Sequence, residues 1–258
     1  MLLLGAAFWI VPDSLQVTEY DVATDAAPLK GLRIAVIADL HAGTPYIDER
    51  KLDEVVRLTN AANPDLILLA GDYVSERGDG SLRMPLDTMA AHLKGLDARL
   101  GVYAVLGNHD MMAGREPIMG MLSQAGVVLL DNVYSVIGRA QGPLVLMGLG
   151  WEGDAAARLT LALLEGQKAI CLSHSPDTFP VLPLTCALTI AGHTHGGQVA
   201  LPVIGRPAVA KASRFGQRYA AGLVREQGRV LFVSSGIGTT FLPVRLGVTP
   251  EISLLKIQ

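Results

Sequence analysis

Five short apolar runs, each stopping at an aspartate, an asparagine or a histidine, constrain this chain more than any other feature. Arg33-Ile34-Ala35-Val36-Ile37-Ala38 ends at Asp39-Leu40-His41, and Leu66 to Ala70 ends at Gly71-Asp72. Val102 to Leu106 ends at Gly107-Asn108-His109-Asp110, Lys168 to Leu172 at Ser173-His174, and Ala187 to Ala191 at Gly192-His193-Thr194-His195. Apolar runs of this length between glycines and polar residues read as buried strands. In open α/β sheets the loops at the carboxyl ends of strands form the ligand crevice. Strands that carry these groups at the same end therefore bring them to one place. In His193-x-His195 the two rings fall on the same side of an extended segment.

The intervals between the first runs have helical period. Asp48 to Asn60 carries Leu52, Val55, Val56 and Thr59 at helical spacing, with Asp48 as N-cap. Pro85 to Leu96 and Glu116 to Ala125 follow, the latter closed by Gly126. Strand alternating with helix is the signature of an α/β fold with parallel strands. The second half is richer in strands. Val127–Leu130, Tyr134–Ile137, Leu144–Leu149, Gln198–Leu201, Tyr219–Arg225, Val230–Ser234 and Glu251–Ile257 are candidates, with a helix over Asp154–Leu164. Glu226-Gln227-Gly228-Arg229 reads as a hairpin turn. No repeat or linker divides the chain, so residues 33–258 read as one domain, preceded by an apolar segment and connection over residues 1–32.

Charge and composition exclude some functions. The 258 residues carry a net charge of −3, which gives no basic excess for nucleic acid. Half the residues are hydrophobic and 17% are charged, which suits a buried sheet or contact with lipid. Met1 to Val11 is uncharged and contains Trp9. It is too short to span a bilayer, which takes about 20 apolar residues. It reads either as an ordinary covering element or as the remnant of a membrane anchor. Cys171 and Cys186 lie inside apolar runs and read as buried thiols rather than a disulfide.

The candidate ligand set is Asp39, His41, Asp72, Asn108, His174, His193 and His195, with His109 in reserve. That is more than one tetrahedral zinc takes, and it suits two divalent cations sharing a carboxylate. Mixed imidazole and oxygen donors fit manganese, iron or zinc without choosing among them. His92, in the second helical stretch, reads as structural. Arg206 and Arg245 read as solvated or as phosphate contacts, and Met111, Met112, Ile118, Met119 and Met121 as core rather than an acyl-chain groove.

In order and in context these motifs resemble the calcineurin-like metallophosphoesterases, whose pattern is D-x-H, G-D, G-N-H-[DE], a lone H, and G-H-x-H. The resemblance implies a two-sheet sandwich flanked by helices, and hydrolysis of a P–O bond by a hydroxide bridging two divalent ions. It implies one ion on Asp39, His41 and His195, a second on Asn108, His174 and His193, and Asp72 between them. His109 would contact the phosphate and protonate the leaving group, with Asp110 orienting its ring. Asn108 and Arg245 are further candidates for substrate contact. Many members extend G-D to G-D-x-x-D; here Ser75 stands at the last position.

Gly196-Gly197-Gln198-Val199, Leu201-Pro202, Gly222-Leu223, Ser234-Ser235-Gly236-Ile237-Gly238-Thr239 and Pro243-Val244-Arg245 resemble a bacterial envelope-associated phosphodiesterase subgroup. That implies a phosphodiester substrate and a place at the cell envelope or membrane, with residues 1–11 as the contact. A cytoplasmic enzyme is the other reading. Relatives of the subgroup split the pyrophosphate of lipid-linked nucleotide sugars such as a diacylated UDP-glucosamine. Diester, pyrophosphate and monoester substrates therefore stay open, as does a protein-binding scaffold with a vestigial site. No ligand position is lost, and that favours the enzyme.

Overall fold

The computed structural model describes residues 5–151 and 167–258. Among them two six-stranded sheets face each other. The first runs β1 (Gln16–Val22), β12 (Glu251–Ile257), β2 (Arg33–Ile37), β3 (Leu66–Leu69), β4 (Val102–Ala104) and β5 (Val128–Leu129). Strands β2 to β5 are parallel, and β12 lies antiparallel to β2. The second sheet runs β10 (Gly222–Glu226), β11 (Arg229–Val233), β9 (Cys186–Ala191), β8 (Ala169–Ser173), β7 (Leu144–Leu149) and β6 (Tyr134–Ile137). Its four inner strands are parallel and its two edges antiparallel.

Side-chain alternation along each strand builds the layers. From β2 and β3, Ile34, Val36, Leu66 and Leu68 face inward, against Leu146, Ile170, Leu172, Leu188, Ile190 and Phe232 of the other sheet. Their neighbours Ala35, Ile37, Ile67 and Leu69 face outward, under the helices. Strands buried on both faces read as unbroken apolar runs, which is why these were visible in the sequence.

Among the described residues three helices cover the first sheet: α1 (Glu49–Ala61), α2 (Leu86–Leu93) and, after a short α3 (Asn108–Ala113), α4 (Arg115–Gln124). Asp48 caps α1 by accepting from Lys51 N at 3.0 Å. Leu52 and Val55 of α1, Met89 and Leu93 of α2, and Ile118 and Leu122 of α4 share one core. Ile118 and Met121 are buried and Met111 packs partly against the same core, whereas Met112 stands 64% exposed. His92 pairs with Asp53 on α1 at 2.6 Å, a surface role. The hairpin between β10 and β11 turns at Gln227 and Gly228, both at positive φ as a two-residue turn of this hand requires. The expected two-sheet sandwich with flanking helices is the fold observed.

Several local expectations need correction. Gln16–Val22 looked like part of a connection but is an edge strand, paired with β12 over its whole length; its half-exposed residues hide the pattern. Gln198–Leu201 is not a strand. Val199 and Leu201 make only isolated bridges, to Leu246 and Gly205. Cys171 and Cys186 are buried, but they form a disulfide, with Cα atoms 5.6 Å apart on adjacent strands. The pairing of β8 with β9 shifts register between Ala169 and Ile170, and no local pattern in the sequence announces that shift. The helix expected over Asp154–Leu164 lies outside the described residues.

The start of the described chain is a single π-helical turn, Ala6–Ile10. It is tied to the body: Arg245 N donates to Ala7 O at 3.0 Å, and the Tyr46 hydroxyl donates to Phe8 O. Trp9 and Ile10 are exposed. No helix among the described residues is long and apolar enough to cross a membrane.

Candidate metal centre

All five chemistry-bearing loops leave the carboxyl ends of their strands on the same side, where the edges of the two sheets meet. The main chain stitches them together. Asp39 N donates to Gly71 O at 3.0 Å and His41 N to Asp72 O at 3.0 Å, joining the exits of β2 and β3. Gly192 N donates to His174 O at 3.0 Å, joining those of β8 and β9. Across the sheets, His193 N donates to the Asp39 carboxylate at 3.0 and 3.1 Å. A β-carbon at Gly107 would fall 2.1 Å from Asp72 Oδ1, so only glycine lets α3 start this close.

Asp39, His41, Asp72, His193 and His195 all have φ between 46° and 71°. Left-handed backbone costs a non-glycine residue roughly 1–2 kcal/mol. Five such residues in one cluster mark a site whose surroundings over-determine it. The turn aims the carboxylates and rings back over the strand ends. Asn108 and His109 are presented differently, from the first turn of α3, and His109 N donates to Asp72 Oδ1 at 2.9 Å.

The side chains form overlapping groups of possible metal donors: Asp39, His41 and His195; His41, Asp72 and His109; and Asp72, His174 and His193. Asp72 Oδ2 lies 3.6 Å from His41 Nε2 and 3.2 Å from His174 Nε2, so it stands between His41 of the first group and His174 of the third. His174 Nε2 is 3.2 Å from both Asn108 Oδ1 and His193 Nδ1. His41 Nε2 and His195 Nε2 are 3.1 Å apart. His109 packs edge-on to the His41 ring, with centroids 4.8 Å apart.

This donor set fits cations. Nδ1 of His174 donates to Ala70 O at 2.6 Å, and Nδ1 of His195 to Gly238 O at 3.3 Å. Each ring's Nε2 is thereby turned toward oxygen and nitrogen lone pairs. Burial works against a charged His174, but Asp72 and Asp39 outweigh it and push its pKa up to about 9. Burial pushes Asp39 up to about 7, helped by the charge on Asp72. Burial opposes the Asp72 charge as well, yet His174 and His41 hold its carboxyl well below the usual carboxylate range. His41 and His193 are pulled down to about 4, chiefly by burial, and so stay neutral and free to ligate. The cluster is electron-rich and holds a proton where it can, which is a demand for positive charge.

Two expectations about neighbours fail on geometry. Asp110 does not orient the His109 ring. Its buried carboxylate accepts from the main-chain N–H groups of Asp72 at 2.7 Å, Gly107 at 2.9 Å and Tyr73 at 2.9 Å. It braces the loop under Asp72. Arg245 is neither solvated nor open to substrate: it is fully buried and donates to Ser235 O at 2.9 Å and Gly238 O at 2.7 Å. Arg206 donates to Gly196 O. Ser75 lines a cleft beside the centre.

Sequence reasoning missed Trp151, whose ring lies 5.6 Å from that of His174 and 5.2 Å from that of His193. It also missed the structural duty of Gly238, whose carbonyl serves both His195 and Arg245. A glycine every second residue in Gly236-x-Gly238 was the available signal.

Residues 32–203 match the sequence profile of the family described as calcineurin-like phosphoesterase. The chain belongs to that family. Phosphodiesterase YaeI of Escherichia coli K12 is 30% identical to this phosphoesterase over 239 residues, 90% of this chain and 83% of that one. The uncharacterized metallophosphoesterase YkuE of Bacillus subtilis is 27% identical, over 98% of this chain and 89% of its own. Among solved structures, Haemophilus influenzae NAD nucleotidase superposes with a TM-score of 0.51 at 15% identity, over 80% of this chain and 50% of that one. That likeness is one of fold. Family and donor clusters together make this a metal-dependent phosphoesterase.

Proposed function

We propose that the protein is a phosphodiesterase working with two divalent ions at the cell envelope. The observation that carries the two-ion reading is the position of Asp72, whose carboxylate shares one donor group with His41 and another with His174 and His193. Asp39, His41 and His195 hold one ion; Asn108, His174 and His193 hold the other. Ions there supply neutralisation of phosphoryl oxygens and a lowered pKa for the attacking water. Asn108 and His109, at the start of α3, meet the phosphate, and His109 protonates the departing oxygen. His109 suits this task because it lines the clefts on both sides of the centre.

Diester rather than monoester chemistry is favoured by those two clefts, since a diester has an arm for each. The name of the Escherichia coli relative points the same way. The envelope is favoured by the Cys171–Cys186 disulfide, because disulfides persist in oxidising compartments. The exposed Trp9 and Ile10 suit an interface.

The test is hydrolysis of bis-p-nitrophenyl phosphate against p-nitrophenyl phosphate, after loading the chelated protein with manganese, iron or zinc. The diester is expected to turn over faster, with two ions bound per chain. Faster monoester turnover, or full activity with one ion, would overturn the corresponding half of the proposal.

A further inference from the structure

Phe241 is 98% exposed and holds a left-handed backbone, φ 59°. For a bulky aromatic residue that conformation is strained. It does not belong to a loose loop. Gln198, three residues after His195, accepts from Thr240 N at 2.7 Å and donates to Leu242 O and Val244 O, both at 3.1 Å. One side-chain amide thus clamps the loop on both sides of Phe241, and its own main-chain N donates to His195 O at 3.0 Å. The ring is held out in water, at fixed position, beside the metal centre.

Two clefts meet at Phe241, Leu242 and His109. One, of about 530 Å³, runs outward from His193 and His195 between Val199, Ala208, Ala212 and Val244. Its outer wall is mostly apolar, with Lys211 and Gln198 as polar members. The other, of about 350 Å³, runs from His41 past Ser75, Glu76, Arg77 and Arg83. Its wall is polar. An exposed apolar platform continuous with a reaction centre is a recognition surface, and the position of the centre says what covers it: a part of the molecule being cleaved.

We infer that Phe241 sorts the two ester arms of an amphiphilic phosphodiester. The apolar arm lies along Phe241 and Leu242 into the Val199–Val244 cleft, and a hydroxyl-bearing arm occupies the cleft at Arg77 and Arg83. This rests on the phosphodiesterase reading above and adds the substrate class. Phe241 is then a specificity residue: it touches substrate without taking part in bond cleavage.

Alkyl(methyl)phosphinates test the inference by binding alone, because both arms are carbon-linked and neither can be hydrolysed. Calorimetry on the manganese-loaded full chain would compare methyl, butyl, octyl and phenyl arms. Each buried methylene favours binding about threefold to fourfold, so the octyl compound is expected to bind at least tenfold tighter than the methyl. Phe241→Ala with Leu242→Ser should remove most of that ratio. Val203→Ser, an exposed apolar position outside both clefts, should keep it. A larger gain from phenyl than from butyl identifies an aromatic arm, and the reverse an aliphatic one. Equal affinity along the series, no binding by any member, or a ratio that survives the double substitution would overturn the inference. Turnover of bis-p-nitrophenyl phosphate by the same preparation separates the two failures. If the diester is cleaved while the phosphinate series is flat, only the sorting is wrong.

Discussion

The floor and the rim of this centre are built on opposite plans. On the floor, Asp39, His41, Asp72 and His174 are all essentially buried, and each is held by partners from more than one element. At the rim, Phe241, Leu242 and Met112 are 98%, 61% and 64% exposed, and the loop carrying the first two hangs on Gln198. A redundantly fixed array tolerates no drift in donor positions, as metal chemistry demands. A loop whose exposed tip is pinned by one side chain can change its tip residues without disturbing the floor. On the inference drawn above, reaction class is encoded in the first region and substrate choice in the second.

The strongest way to break that division is at the shared carboxylate. Asp72→Ala is expected to lower metal content at both sites, measured by elemental analysis. Loss of ions removes several kcal/mol of transition-state stabilisation, about 10³-fold or more in rate. Asn108→Ala should empty mainly one site and cost less. Retention of both ions by Asp72→Ala would show that the floor is not organised around it.

Next in size is a floor residue that is not a ligand. Asp110→Asn swaps a carboxyl group that accepts from four main-chain N–H groups for an amide, one side of which is itself a donor. A buried group left without its partner costs about 1–3 kcal/mol, so unfolding free energy should fall by about 1–3 kcal/mol in a denaturant titration. Unchanged stability with an altered dependence on leaving group would restore Asp110 to the His109 ring.

These contrasts track what the sequence could reveal. Runs such as Leu66–Leu69 are buried on both faces and keep an unbroken apolar pattern. Donors at their ends are fixed by chemistry, so strands and candidate ligands were legible together. The left-handed turns that aim those donors were not, because aspartate and histidine do not require positive φ as a type I′ turn requires it of Gly228. Arg245 looked solvated because its burial depends on carbonyls supplied by Ser235 and Gly238 once the loop has closed. The disulfide joins two adjacent strands across 15 residues of sequence, and Asp110 takes main-chain donors 37 and 38 residues away. Each of these is a property of tertiary closure rather than of a window of sequence.

A smaller effect separates the floor from the rest of the protein by its titration. In chelated protein His174 has a pKa near 9, raised above the usual histidine value of 6.5. A raised pKa means the folded state binds the proton more tightly than the unfolded chain. Its contribution to stability is full below pH 6.5 and is lost as pH rises through 9. His41 and His193, lowered to about 4, are neutral in both states above pH 6.5 and add no slope there. The melting temperature of chelated protein should therefore fall between pH 6.5 and 9, and bound manganese should flatten that limb by replacing the proton. A slope that is the same with and without metal would mean the floor does not need the charge.

The smallest expected effect lies at the rim. Gln198→Ala removes three hydrogen bonds from the loop carrying Phe241, but its side chain is partly exposed and water can replace them. At about 1 kcal/mol or less for such bonds, global stability should barely change, and metal content should stay at the wild-type value. What should change is the mouth. With Thr240, Leu242 and Val244 unclamped, the left-handed turn at Phe241 relaxes and the two clefts lose their dividing wall. KM for a diester should rise several-fold, with a smaller change in kcat, because ordering the loop then falls to substrate binding. Gln198 also sits three residues from His195, so the opposite result is informative. If Gln198→Ala loses metal, the clamp supports the floor as well as the rim, and the two regions are one cooperative unit.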